Sequence, residues 1–475
     1  MVLMNNFLFY DILFLVFFTI WVIWFIYTRK HNLKREGIIY LYRTQLGIKF
    51  IDYIGKKYRK TIGIAQYFAI TIGFILMGAM LYLLSFTIYT YIKFPQITQT
   101  IKAPPILPLI PYFPTLFGLE SFFPPLYFTY WIIAILIVAV VHEFSHGIFA
   151  KFHGLKIKST GFAFLGPILG AFVEPDEKEM QNKGNFAQMS ILSAGVFANI
   201  LTAIIFFAIM WITFSFAFSP AGVVIHSYPS GYIEISNIET INNIPFDGDF
   251  NNFLDKNITN IKTDSGKYLI PTEILKNQLE VIGESNDNSG RLNVYLDAPA
   301  IRNNLLGAIS NIDGEEIKTV EDLSRVLDKK SPGQIVEIEI INSDGKTKRI
   351  ITLDTHPLTP EKAFLGINLN TNEAKGIRKF ISNALFFKNP GIYYEEKTAF
   401  PVFIYYLVWW IVLINFFVAL FNMLPVGILD GGRFFYLTIL SVTGSEKATK
   451  IIYKVMSYFI LLIFIGLIFS WFIAL

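Results

Sequence analysis

The apolar positions of this chain run together in long blocks rather than recurring on one face of short helices. Crossing a bilayer takes roughly 20 apolar residues in a helix. Six blocks of about that length lie near Phe7 to Tyr27, Gln66 to Ile92, Leu126 to Ala150, Gln188 to Phe218, Pro401 to Leu424 and Ile451 to Leu475, and they predict six transmembrane helices. No basic residue precedes the first block, which is also too long for a signal-peptide core, so it is expected to remain as an anchor with Asp11 near an interface. The fourth block carries Ser190, Ala194 and Ala198 at intervals of four, a stripe of small side chains on which another helix packs closely.

Lys and Arg are unevenly shared among the connecting segments. Residues 28–60 hold ten, residues 93–125 two and residues 151–187 five, while residues 425–450 include Arg433, Lys447 and Lys450. Basic residues in short loops favour the cytoplasmic side, so this alternation predicts both termini and the long segment after Phe218 on the outer side. Between blocks three and four, Gly161 to Glu174 is apolar but interrupted by Gly166-Pro167 and Gly170. Such a stretch cannot span; it predicts a re-entrant or interfacial hairpin whose backbone is satisfied by protein or water.

From Ser219 the chain turns polar, rich in Asn, Asp, Ser and Gly, with short β-branched runs at Gly222 to Ile225 and Ile335 to Ile341. This is the pattern of a soluble insertion. Ile238 to Phe246 and Ile309 to Ile317 each read as strand, tight turn and strand, followed by a helical pattern at Phe253-Leu254 or at Leu323 to Leu327. Both stretches resemble the core of PDZ domains, and the insertion has room for two in tandem. The resemblance implies capture of an extended peptide by strand addition; a spacer or gate that excludes bulky substrates is the alternative. The expected fold is therefore a polytopic α-helical membrane protein of about six transmembrane helices with an inserted mixed α/β, PDZ-like soluble region. Its divisions are residues 1–125, two spans and a basic loop; 126–218, two spans with the hairpin; 219–398, the insertion; and 399–475, the last two spans.

Composition narrows the function. With 53% hydrophobic, 16% aromatic and 16% charged side chains, the chain is neither one soluble globule nor a disordered or nucleic-acid-binding surface, and the net charge of +4 points to no particular partner beyond the lipid bilayer. Cysteine is absent, which removes disulfides, thiolate ligands and a cysteine nucleophile. A metal here must be held by histidines and carboxylates.

Near the end of block three, the apolar run continues into His142-Glu143-Phe144-Ser145-His146, an HExxH pattern. On a helix the two histidines project from one face and ligate Zn²⁺ together, while Glu143 is placed to act on a water at the metal. Ionisable groups within a span are costly and tend to mark function; the alternative is a polar cluster solvated at a helix end. Catalytic zinc normally takes three protein ligands. His31, His226 and His356 lie in a basic loop or the insertion, and His153 reads as a solvated helix end. Glu174, Glu177 and Glu179 fall in a predicted loop. Asp430, after the Pro- and Gly-broken end of block five, reaches the same leaflet as the histidines; alone, Asp430-Gly431 also reads as a turn or as a partner for Arg433.

Taken together, His142-Glu143-x-x-His146 and the distant Asn422-x-x-Pro425-x-x-x-x-Asp430-Gly431 resemble the site-2 protease family of intramembrane zinc metalloproteases. Gly166-Pro167 to Phe172 resembles the family's membrane hairpin, and Ser193-Ala194-Gly195 to Asn199 its core helix. The resemblance implies Zn²⁺ as cofactor, Asp430 as third ligand beside His142 and His146, Glu143 as the catalytic base, and Asn422, Gly166, Pro167, Gly170 and Phe172 near the substrate. It also implies cleavage of helices in single-span, membrane-anchored proteins. Two other functions fit the same spans: an inactive adaptor that binds peptides through its insertion, for which Glu143 would be superfluous, and a transporter, for which the two halves show no related broken helices.

Overall fold

The computed structural model describes residues 2–37, 39–94, 109–165, 168–254, 258–284, 290–342, 345–369 and 387–474. It divides into two units, Met1–Ala217 with Thr398–Leu475, and Phe218–Lys397.

The first unit is helical. Among the described residues six helices are long and apolar enough to cross a membrane. They are α1 (Val2–Thr28), α3 (Arg59–Lys93), α4 (Phe128–Phe152), α5 (Asn185–Ala217), α6 (Ala399–Asn422) and α8 (Glu446–Ala474). The shorter helices between them include α2 (Ile48–Lys57) and α7 (Asp430–Thr443), the latter in a segment whose sequence suggested only an inner loop. α4, α5 and α6 pack on one another, and α5 is sealed by buried Ile191, Leu192, Ala194 and Val196. Ser190 and Ala194 of the small-residue stripe are fully buried.

The expected hairpin is β3 (Ile157–Leu165) and β4 (Ile168–Pro175), and it belongs to a larger sheet. Two strands from the basic segment after α1, β1 (Leu33–Glu36) and β2 (Ile39–Thr44), extend it in the order β1-β2-β3-β4, antiparallel throughout. The segment expected to be a basic loop is thus largely strands and helix. At Gly161 the Tyr42 carbonyl and the Phe172 ring lie where a side chain would stand, which explains the glycine. Arg43 Nε and Ser159 Oγ donate to Glu174 Oε2 at 3.0 and 2.7 Å, fastening β2, β3 and β4 together. Among the described residues β4 pairs with no further strand and so forms an edge of the sheet.

Asp11 is buried where α1 meets the start of α4. Its carboxylate accepts from Phe128 N at 2.7 Å, Thr129 N at 2.8 Å, Thr129 Oγ1 at 2.5 Å and Tyr112 Oη at 2.6 Å. Because the first backbone N–H groups of a helix have no partner within it, this aspartate from another span serves as the cap of α4.

Among the described residues the second unit holds, beside a small two-stranded sheet of Asp354–Thr355 with Ala363–Phe364, two six-stranded sheets. One runs in the order β6-β11-β10-β9-β7-β8, from β6 (Ser230–Glu234), β7 (Ile238–Ile241), β8 (Ile244–Pro245), β9 (Ile258–Thr263), β10 (Gly266–Pro271) and β11 (Arg291–Leu296). The other contains β5 (Phe218–Val224), β12 (Ala308–Ile312), β13 (Glu315–Glu316), β14 (Ile335–Asn342), β15 (Gly345–Thr352) and the late strand Ile392–Glu396, in the order β15-β14-β12-β5 and then Ile392–Glu396. Since β5 pairs with both β12 and Ile392–Glu396, the first sheet is an insertion within the second. The tandem order expected from sequence is therefore corrected to a nested one, because the strand completing the second sheet comes before the first sheet begins.

Both strand–turn–strand motifs form. Asn242-Asn243 (φ 52° and 66°) and Asp313-Gly314 (φ 50° and 87°) adopt the left-handed pairs that tight hairpins need. After the second motif, helix Val320–Asp328 starts with a capping box between Thr319 and Asp322. After the first, the described residues form a single turn of 3₁₀ helix, Asn251–Phe253.

Candidate metal centre

His142 and His146 lie one turn apart on α4, so both imidazoles leave the same face. Asp430 arrives from the other end of the chain. α6 stops at Asn422, the following turn contains Pro425, which has no N–H to continue a helix, and α7 begins at Asp430 itself. At Gly431 and Gly432 the backbone of Met423, Leu424 and Val426 occupies the position of any Cβ. These two glycines let α7 fold back against the turn and direct Asp430 toward α4. The position also suits a carboxylate, because a helix N-terminus carries partial positive charge.

Three ligand atoms converge. His142 Nε2 is 3.1 Å and His146 Nε2 3.2 Å from Asp430 Oδ2, and the two Nε2 atoms are 3.0 Å apart. For a tetrahedral zinc with bonds of about 2.0–2.1 Å, ligand atoms stand about 3.3 Å from one another, close to this triangle. Two imidazole lone pairs and a carboxylate pointing at one spot repel unless a proton or cation lies between them. The donor set, two nitrogens and one oxygen, is one that zinc accepts at catalytic sites.

The space beside the triangle is kept open by Gly195 on α5. A Cβ there would lie 2.6 Å from His142 Cε1, His142 Nε2 and His146 Nε2. One turn to either side, α5 supports the rings themselves: His146 Nδ1 donates to the Ile191 carbonyl at 2.7 Å, and the Asn199 amide lies 3.1 Å from His142 Nδ1. A metal ligand histidine is ordinarily oriented in this way, by a partner on its second nitrogen.

A cavity of about 500 Å³ opens onto the triangle, lined also by Glu143, Asn422, Val173, Pro175 and Ile414. Glu143 Oε2 accepts from the Val173 N–H at 3.1 Å, so the outer edge of β4 borders the carboxylate next to the three converging residues. Of the residues expected near a substrate, Asn422 lines the cavity, whereas Gly170 and Phe172 do not; the Phe172 ring lies over Gly161. Gly166 and Pro167 lie outside the described residues.

Of the competing ligand candidates, His153 and Glu174 are engaged elsewhere, while Glu177 lines the same cavity without joining the triangle. His153 Nε2 meets Ser190 Oγ at 2.8 Å, a half-buried contact rather than a freely solvated helix end. Arg433 donates to Gln188 Oε1 at 3.1 Å. Glu174 sits in β4 and Glu177 and Glu179 in the short helix Glu177–Gln181, not in a loop as expected, because β4 continues to Pro175 and Asp176 caps that helix. Ile191 and the Val173 N–H carry no signal of their own in the sequence, since a carbonyl and a backbone amide act here; Gly195 lies in the Ser193-Ala194-Gly195 to Asn199 stretch, whose resemblance marked the helix but not the part this glycine plays.

The sequence profile of peptidase family M50 matches residues 130–463, well over half of the chain, and so takes in nearly all of α4, the whole of α7 and all three converging residues. The chain belongs to peptidase family M50. This is the site-2 protease family, whose members depend in general on zinc. An uncharacterized protein of Methanocaldococcus jannaschii is 33% identical over 198 residues, which is 40% of this chain and 48% of that protein. The chain thus spans about half the length of the curated relative it matches. As an M50 member with six apolar helices, it is an integral membrane protein carrying a strand-rich second unit.

Proposed function

We propose that this M50 protein is a zinc-dependent intramembrane endopeptidase that cleaves peptide bonds within or near the transmembrane segments of membrane-anchored, single-span proteins. The observation that carries this reading is the convergence of His142, His146 and Asp430 beside Glu143 at the end of a cavity. His142, His146 and Asp430 would hold the metal. When bound, zinc supplies Lewis-acid polarisation of the scissile carbonyl and lowers the pKa of water toward ~7. Glu143 takes the proton of the attacking water and returns it to the leaving amine.

A helical substrate hides its amides in its own hydrogen bonds and must open locally before attack. The free edge of β4 offers backbone groups to an opened strand, beside Glu143, and the Asn422 side chain adds a further hydrogen-bonding group within the cavity. The basic segments favour an inner-leaflet site with termini and second unit outside, where the PDZ-like hairpins suit a substrate filter. His142 is buried and His146 half-buried on a helix apolar enough to cross a membrane, which supports an intramembrane site.

The test is zinc content together with cleavage of tagged single-span substrates. Wild type should hold one zinc and cleave; Glu143→Gln should hold zinc but cleave about 10²- to 10⁴-fold more slowly. Asp430→Asn should lose both. Full cleavage by Glu143→Gln would remove the assigned base, and undiminished zinc in Asp430→Asn would remove the third ligand.

A further inference from the structure

α5 faces the metal centre with three positions spaced four residues apart. The Ile191 carbonyl takes the Nδ1 proton of His146, Gly195 leaves room for both rings, and Asn199 stands against Nδ1 of His142. α4 and α5 are successive long apolar helices, and His146, the later histidine of α4, meets the earlier α5 residue while His142 meets the later one. The two histidines are therefore supported differently, one by backbone and one by a side chain.

Asn199 is fully buried, and its Oδ1 has no hydrogen-bond partner while its Nδ2 lies 3.1 Å from His142 Nδ1. That orientation suits a ring whose proton is on Nε2, with Nδ1 accepting. A metal at the triangle requires the opposite tautomer, because Nε2 must present its lone pair to the ion and Nδ1 must then carry the proton. Two N–H groups would then face each other. Rotation of the amide by half a turn exchanges Nδ2 and Oδ1 in nearly the same volume and places an acceptor against Nδ1–H.

We propose that Asn199 is the positioning residue of the metal centre: its Oδ1 accepts from His142 Nδ1–H in the metal-loaded protein, fixing the tautomer and the ring plane. Because a neutral amide offers a donor on one side and an acceptor on the other, the same residue also accommodates the metal-free ring. An apolar residue at this position leaves the Nδ1 proton buried without a partner, which opposes the ligating tautomer. An aspartate keeps the acceptor but cannot donate. The inference rests on the zinc reading of the triangle.

The experiment measures zinc affinity of the full-length protein by chelator competition, the visible spectrum of the Co²⁺-substituted form, and the imidazole N–H proton of His142 in ¹⁵N-histidine-labelled protein. Asn199→Leu should bind zinc about 10- to 100-fold more weakly, the usual effect of losing a ligand's outer partner. Asn199→Asp should bind at least as tightly as wild type and keep a protected Nδ1–H signal that Asn199→Leu lacks. Asn415 provides the control, being equally buried on α6 with an unpartnered Oδ1 and its Nδ2 on the Ile411 carbonyl. Asn415→Leu should leave zinc affinity within about threefold. Weak zinc binding by Asn199→Asp, equal losses in Asn199→Leu and Asn415→Leu, or wild-type affinity in Asn199→Leu would each overturn the assignment. A wild-type protein that binds no zinc would remove the metalloprotease reading as well, so the two failures are distinct.

Discussion

Gly195→Ala adds a single methyl group to α5 at the point where that helix faces both imidazoles. The new carbon would begin 2.6 Å from His142 Cε1, His142 Nε2 and His146 Nε2. Carbon needs about 3.5 Å from such atoms, so the rings must retreat by about 1 Å. Metal–ligand distances tolerate only about ±0.2 Å. The fold itself should suffer less, because the atoms the methyl meets belong to side-chain rings and not to backbone, and because alanine is favoured over glycine inside a helix by about 1 kcal/mol. The two effects therefore separate. Zinc affinity should fall more than about 100-fold, beyond the loss of an outer hydrogen bond, while the metal-free protein should melt within a few degrees of the metal-free wild type. Chelator competition and thermal melting of the same detergent-purified samples read the two quantities. Wild-type zinc affinity in Gly195→Ala would refute the placement of the metal between these rings and α5.

Asp11→Ala should destabilise the membrane unit by about 1–3 kcal/mol, since it strips the buried N–H groups of Phe128 and Thr129 of their acceptor. Asp11→Asn, which keeps one acceptor oxygen, should cost less; equal melting temperatures for all three proteins would deny the cap. Glu174 is held below its ordinary carboxyl value of 4.5, first by the Ser159 hydroxyl and then by Arg43. A folded value below the unfolded one contributes stability above the unfolded pKa, and that stability is lost as pH falls through the folded value. Melting temperature should therefore fall on acidification below about pH 4.5, and Glu174→Gln should flatten that fall; an unchanged slope would show that the strand-tying contacts do not form.

Much of this molecule is legible along one dimension. Bilayer thickness dictates the length of an apolar run, so the six long helices are visible as six blocks. The four-residue spacing of His142 and His146 fixes a shared helix face whatever surrounds it. Pro425 announces the end of α6, and the Asn-Asn and Asp-Gly turns announce two hairpins. Each of these signals is local, carried by residues that interact with near neighbours or with the solvent phase.

Other features depended on contacts that no local pattern encodes. β1 and β2 come from a segment dominated by basic residues, and they become strands because β3 offers an edge to pair with. α7 was hidden because its apolar face is short and its glycines read as a loop, although they serve close packing on the turn before it. The nested order of the two soluble sheets follows from β5 pairing with strands far downstream. The triangle of His142, His146 and Asp430 brings together residues 288 positions apart, and its support comes from a carbonyl, an absent side chain and one amide on α5. Sequence alone determined which residues are able to bind a metal, because that is a property of side-chain chemistry. Only the tertiary structure decided that they meet, because convergence depends on how separate helices pack.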